Sequence, residues 1–237
     1  MPILLLAQGD PAAKDLLRRS IEARYALSPP AIDNVKMNFT GRVHTKLGPV
    51  MTWIPVHIAT HFRFPSAFRW DFSVRPVGVP VQRGIESYDG KTYRRLRGKK
   101  ISEVTDDQAI INSLQSRLWA MAAVLLSPLS EHFVQLKAND SHSFDATNKL
   151  SNDTVTMYLR PNYTLEQVAV HCVNPDNGQE QWFSLYLSEE QAPVNDIMLP
   201  CQIHAFWDDK PYYEVQPVAI ENSSSINDAV FSLTAEV

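Results

Sequence analysis

The chain has 237 residues, of which 44 % are apolar and 20 % charged, and its formal net charge is −4. This is the balance of an ordinary globular protein of one large domain or two small ones, with no bulk positive charge to draw it to nucleic acid. The two cysteines, Cys172 and Cys201, come without a Cys-x-x-Cys or a zinc-spaced Cys/His cluster, which argues against a structural zinc, and no stretch reaches the roughly 20 apolar residues of a membrane-spanning helix.

The chain opens on a short apolar run, Ile3 to Ala7, without a basic segment before it. Residues 1–10 read either as the tail of a trimmed signal peptide or as a frayed or packed N-terminus. Asp10-Pro11 is a helix start, and Ala13, Leu17, Ile21 and Tyr25 recur at helical spacing, which predicts a helix over 11–27. Strand patterning follows. Val35, Met37, Phe39 and Val43 alternate with polar residues, Gly48-Pro49 turns the chain, and Met51–Ile54 returns. Next come His57–Phe64, with Ile58, Phe62 and Phe64 on one face, and Ala67–Val74. In the latter Phe68, Trp70, Phe72 and Val74 alternate with Arg69, Asp71 and Ser73, which places the second set in water. Gly84–Tyr88 leads through Asp89-Gly90 into a basic hairpin, Arg94 to Lys100, read as a solvated end.

Thr105-Asp106-Asp107 caps a second helix, whose stripe is Ile110, Leu114, Leu118, Met121 and Leu125; it stops at Ser127-Pro128. Strands resume at His132–Lys137, Thr154–Arg160, Thr164–Val173, Gln181–Leu187 and Cys201–Trp207, with 139–153 as a polar loop and 229–233 as a last strand. In that order a third strand separates the two cysteines. Strands two apart lie about 9.5 Å from each other, beyond disulfide reach, so two free thiols are expected. The sum is an α+β, mainly antiparallel β protein: residues 11–237 form one domain, a strongly curved, open half-barrel sheet of about ten strands with two helices covering the concave face.

No sequence pattern specifies catalysis. There is no Gly-rich phosphate loop, no Gly-x-Ser-x-Gly and no His-Glu-x-x-His; His57/His61 is a candidate metal pair without carboxylates at supporting spacing and reads as an exposed face, and His171-Cys172 with His204 could form a thiol–imidazole pair but reads as structural packing. The chain therefore reads as a non-enzyme that calls for no cofactor and no metal. What it does have is an aromatic and Met-rich apolar face, of the kind that lines adaptable pockets. The candidate ligand-binding residues are Met37, Phe39, Trp53, Phe62, Phe64, Phe68, Trp70 and Phe72 from the sheet, and Leu114, Leu118, Met121 and Leu125 from the second helix. Such a face is either a cavity wall or a filled core.

Three segments carry a resemblance: Phe64-Pro65-Ser66-Ala67-Phe68-Arg69-Trp70, Ser87-Tyr88-Asp89-Gly90-Lys91-Thr92-Tyr93 and Val173-Asn174-Pro175-Asp176-Asn177-Gly178. With the helix–strands–helix–strands order over roughly residues 11–210 they resemble the LolA/LolB-like periplasmic lipoprotein carriers. The resemblance implies a secreted or periplasmic carrier or binder of lipid or lipoprotein acyl chains beneath a helical lid, with a membrane-bound donor or acceptor protein as a partner and no nucleic acid. The alternative is an interaction or envelope-sensor module on the same fold with a filled core. One departure stands out. Where the family carries the arginine that latches the lid, this chain has Phe64, and the neighbouring Arg63 belongs by strand alternation to the opposite face.

Overall fold

The computed structural model describes residues 5–26, 29–30, 32, 34–64, 67–74, 82–97, 100–103, 107–222 and 226–233. Pro65-Ser66, Thr105-Asp106, Ile3-Leu4, residues 27 and 75, and the side chains of Arg97 to Lys100 lie outside the described residues.

Leu5 to Asp10 is packed rather than frayed. Ala7 is buried, the amides of Leu6 and Ala7 donate to the Ser130 carbonyl at 2.8 Å, and Gln8–Gly9 (β1) forms a short parallel pairing with Val134–Ala138 (β8). Helix α1 spans Pro11–Tyr25 and buries Ala13, Leu17 and Ile21 completely, as the spacing predicts. Asp10 occupies the N-cap position, but its carboxylate accepts from the Ala138 amide at 3.1 Å instead of capping the helix.

A long hairpin follows, β2 (Asn34–Leu47) and β3 (Val50–Arg63), closed by the Gly48-Pro49 turn with Gly48 at φ 62°. The sequence suggested two strands where β3 is one. Pro55 hides the continuity, but it lies beyond the last described pair with the next strand, Val56 with Val74, where no described ladder bond needs its missing N–H. Strands β4 (Ala67–Val74), β5 (Gln82–Tyr88), β6 (Tyr93–Arg97) and β7 (Lys100–Glu103) continue the antiparallel run to one edge. Helix α2 is Gln108–Val124, with the Asp107 carboxylate accepting from the Ile110 amide, and a 3₁₀ turn at Ser127–Ser130 ends it.

After β8 the stretch expected as a loop contains a strand, β9 (Ser143–Asn148). Its inward residues include fully buried Phe144 and Ala146, too few apolar positions to show as a period. The meander proceeds through β10 (Asp153–Leu159), β11 (Leu165–Val173) and β12 (Glu180–Leu187). Next is a separate small hairpin, β13 (Gln191–Val194) and β14 (Ile197–Pro200), turned on Asn195 and Asp196, both at positive φ. Strand β15 (Ile203–Trp207) then pairs with β16 (Lys210–Asn222), which joins the two halves of the sheet by pairing with β2. Pro211 and Pro217 disguise β16, and each sits next to a register shift. Cys172 in β11 and Cys201 before β15 are both free thiols.

Among the described residues the result is one fourteen-stranded sheet rather than about ten strands, mostly antiparallel, with β1 and β7 at its unjoined edges. It curls tightly. Ser113 of α2 donates to the Val173 carbonyl on β11, while Leu114 beside it shares an apolar cluster with Tyr93 of β6. Those strands stand eight steps apart in the ladder, about 38 Å in a flat sheet. A helix about 10–12 Å across touches both only if the sheet bends around it.

The outer face of β4 and β5 is not in water. Residues 228–232, expected as a strand, form a short helix α3 (Asp228–Ser232), with Asn227 capping the Ala229 amide at 2.9 Å. It lays a fully buried Phe231 on that face. Arg69, 6 % exposed, forks onto Asp71 at 2.7 and 2.8 Å and reaches the Val230 carbonyl, Ser87 donates to the Phe231 carbonyl, and Arg63 pairs with Asp228 and covers the Phe231 ring.

Candidate functional site

The site grows from α2 and two hairpin turns. Four side chains fix the helix in the curl: Ser113 on β11, Trp119 donating to the Ala146 carbonyl at 2.9 Å, Ser116 donating to Asp153 at 2.6 Å, and Gln115 to the Tyr88 hydroxyl at 3.2 Å. The β5–β6 turn is set by Asp89. Its carboxylate accepts from the amides of Lys91 and Thr92 at 2.9 and 2.8 Å and from Arg94 at 2.6 Å, while Gly90 supplies a φ of 94°. Burial works to raise this carboxyl's pKa, but the hydrogen bonds from Arg94 and the two amides outweigh it and leave it lowered.

A stability test follows from Asp89. A lowered folded-state pKa contributes stability that is complete above the unfolded value, about 3.9, and is lost as pH falls through the folded one. Asp89→Ala should therefore cost about 1–3 kcal/mol near neutral pH. The gap from the wild type should narrow below about pH 4, read by urea denaturation across the acid range.

The predicted residues divide between two spaces. Met37, Phe39, Phe62, Trp70, Met121 and Leu125 line a central cavity of only about 20 Å³, enough for one water. Phe62, Phe64, Phe68 and Leu118 line a cleft of about 310 Å³ between α2, the facing ends of β3 and β4, and the β5–β6 and β9–β10 turns. Phe62 borders both. The cleft's far side is polar, with Gln115, Asn148, Ser151 and Asp153, and Leu150 stands exposed at its rim. Burial pushes the Asp153 carboxyl pKa up against the opposing pull of Ser116. Two of the three motif segments thus build the cleft, one bringing Phe64 and Phe68, the other Tyr88 and Gly90.

Three predicted residues lie elsewhere. Phe72 faces inward but its ring covers Gly84, where a Cβ would come within 2.3 Å of it. Leu114 is buried against Tyr88 and Tyr93. Trp53 is on the outer face, 5.0 Å from His44 and under the Arg42 guanidinium at 4.6 Å, because β3 is one strand and 53 has the opposite parity to 58 and 62. Arg63 also borders the cleft, but its guanidinium pairs with Asp228 and covers the Phe231 ring on the outer face, as its parity requires.

Sequence reasoning missed a partly buried polar residue on the inward side of α2, Arg117. Arg117 is the only charge in α2, three residues after Leu114 and four before Met121, and hence on the inward stripe. That position was readable from the sequence. The Arg117 guanidinium carbon lies 5.8 Å from the centre of the Trp207 ring. The expected packing role of Cys172 holds: it is buried, its pKa raised by that burial, while His171 beside it pairs with Glu180 at 3.0 Å. Among the described residues no three His, Cys, Asp or Glu side chains are grouped to hold a metal, and no helix is long and apolar enough to cross a membrane.

An open antiparallel sheet curled around a central helix defines a class of fold, and solved structures share it. A LolA superfamily protein from Nitrosomonas europaea superposes with a TM-score of 0.50 at 10 % identity, over 92 % of this chain and 96 % of that one. A DUF1329 family protein from Desulfovibrio piger gives 0.51 at 10 % identity, over 94 % and 97 %. No family model and no curated protein matches the sequence. The fold is LolA-like, and this chain is a divergent example of it.

Proposed function

We propose that this protein binds the acyl chains of lipids or lipoproteins in the bacterial envelope, as a periplasmic carrier or holder rather than an enzyme. The observation that carries the reading is the cleft of about 310 Å³, walled by Phe62, Phe64, Phe68 and Leu118 beside α2, in a LolA-like fold. Its volume is at the lower end of ligand pockets. Burying each methylene yields about 0.8 kcal/mol, so part of one chain already gives useful affinity without directional chemistry. In this reading α2 is the movable wall: its displacement would open the central cavity, which the cleft adjoins at Phe62. The proposed partners are a membrane-bound donor or acceptor of the lipid. Release does not use an arginine latch at position 64, where this chain has phenylalanine.

The small central cavity, about 20 Å³, favours a second reading, in which the core stays filled and the surface reads a partner protein. Native mass spectrometry of the purified protein, followed by solvent extraction, separates the two. A co-purifying mass that extracts as fatty acid or phospholipid supports the carrier. A clean apo mass with no uptake of a fluorescent fatty acid supports the module.

A further inference from the structure

Inside the curl, two buried hydrogen-bond donors lie close together without acceptors. Arg117 lies over the Trp207 ring, and both the Arg117 Nε–H and the Trp207 Nε1–H are buried with no hydrogen-bond partner in the protein. Arg117 makes no ion pair among the described residues; the nearby Glu86 is turned to Arg95, 3.4 Å away. Two phenols, Tyr93 and Tyr213, stand near Arg117. Tyr93 is pushed up to about 12 and Tyr213 higher still by burial, so both are neutral at physiological pH and neither supplies a counter-charge. A buried unpaired donor is costly, a charged one more so, and arginine cannot shed its proton to escape. Two donors and no acceptor specify the missing group: it accepts only, and it is negative.

We infer that Arg117 and Trp207 form an anion site for the carboxylate or phosphate head of an acyl ligand. The site is inside the curl, one helical turn from Met121 and the central cavity. This rests on the acyl-binding reading and sharpens it: the ligand is an anionic amphiphile, with its head at Arg117 and its chain running toward Met121 and Trp70. Neutral esters and glycerides lack the negative head and bind more weakly. The geometry also gives α2 a role in sensing the ligand, since the helix that would move carries the charge that the head group neutralises.

The test compares cis-parinaric acid with its methyl ester, by fluorescence, on the full chain. The wild type should bind the acid about tenfold or more tighter than the ester. Arg117→Gln should bring the acid down to the level of the ester and leave the ester unchanged. Trp207→Phe, which keeps a ring and removes only the donor, should lower the acid several-fold, and it serves if Arg117→Gln fails to fold. Displacement of bound acid by lysophosphatidic acid but not by monoacylglycerol extends the site to phosphate heads. Displacement by the monoacylglycerol as well would overturn the head-group preference. Equal binding of acid and ester by the wild type overturns the anion site and leaves acyl binding standing; binding of neither overturns both. Displacement by inorganic phosphate alone would make this an ion site independent of any chain and overturn the inference in that form.

Discussion

Truncating Phe231 to alanine will lower the unfolding free energy by about 3–5 kcal/mol, the range for a fully buried phenylalanine. The ring is wholly enclosed on the outer face of β4 and β5, under the Arg63 guanidinium at 4.9 Å, and its own carbonyl takes the Ser87 hydroxyl. Its removal also loosens the lid over Arg69, whose fork onto Asp71 is strong because it is sheltered. Urea denaturation should show a lower midpoint at unchanged slope. The loss cannot exceed the free energy that docks α3, because beyond that point the tail simply leaves the sheet. A change under about 1 kcal/mol would therefore mean that α3 is a weakly held strap and that β4 and β5 are stable without it.

The sheet–helix order and most strand faces were legible because they rest on period and punctuation. Ile58 and Phe62 point inward and Arg63 outward as alternation requires, and Asp107 and the Gly48 turn do what their chemistry suggests. The errors came from residues that carry two meanings. Pro55 reads as a break, and splitting β3 there detached Trp53 from the parity that would have put it outside. Pro211 and Pro217 hid β16, the strand that joins the halves, because a central strand with two prolines is rare unless its register shifts. Ala229-Val230-Phe231 is strand-like by propensity, yet five residues capped by Asn227 form a helix once the polar outer face offers them Arg69 and Ser87. The site was half legible for a related reason. Apolar inward residues are visible in a sequence, but whether they enclose space or touch each other depends on how tightly the sheet curls, which no local pattern records.

Phe62→Ala distinguishes space that is usable from space that is merely absent. The ring is 4 % exposed, stacks on Phe64 at 5.8 Å and separates the central cavity from the cleft, so its loss merges the two. Stability in the apo state should fall by about 3–5 kcal/mol, within the 5–15 kcal/mol of a typical domain, leaving the variant folded. Under the carrier reading the merged space accepts more of an acyl chain, so fatty-acid affinity rises while stability falls. Saturating ligand should then restore stability through linkage, by about 2.7 kcal/mol at a hundred times Kd. Under the filled-core reading the same substitution leaves a dry cavity that destabilises the protein, and added fatty acid moves neither the fluorescence nor the melting temperature. Opposite signs on binding and stability are hard to obtain from a packing defect alone. A melt of Phe62→Ala with and without oleate is therefore a sharp test, and a variant that loses stability with no response to oleate would retire the carrier reading.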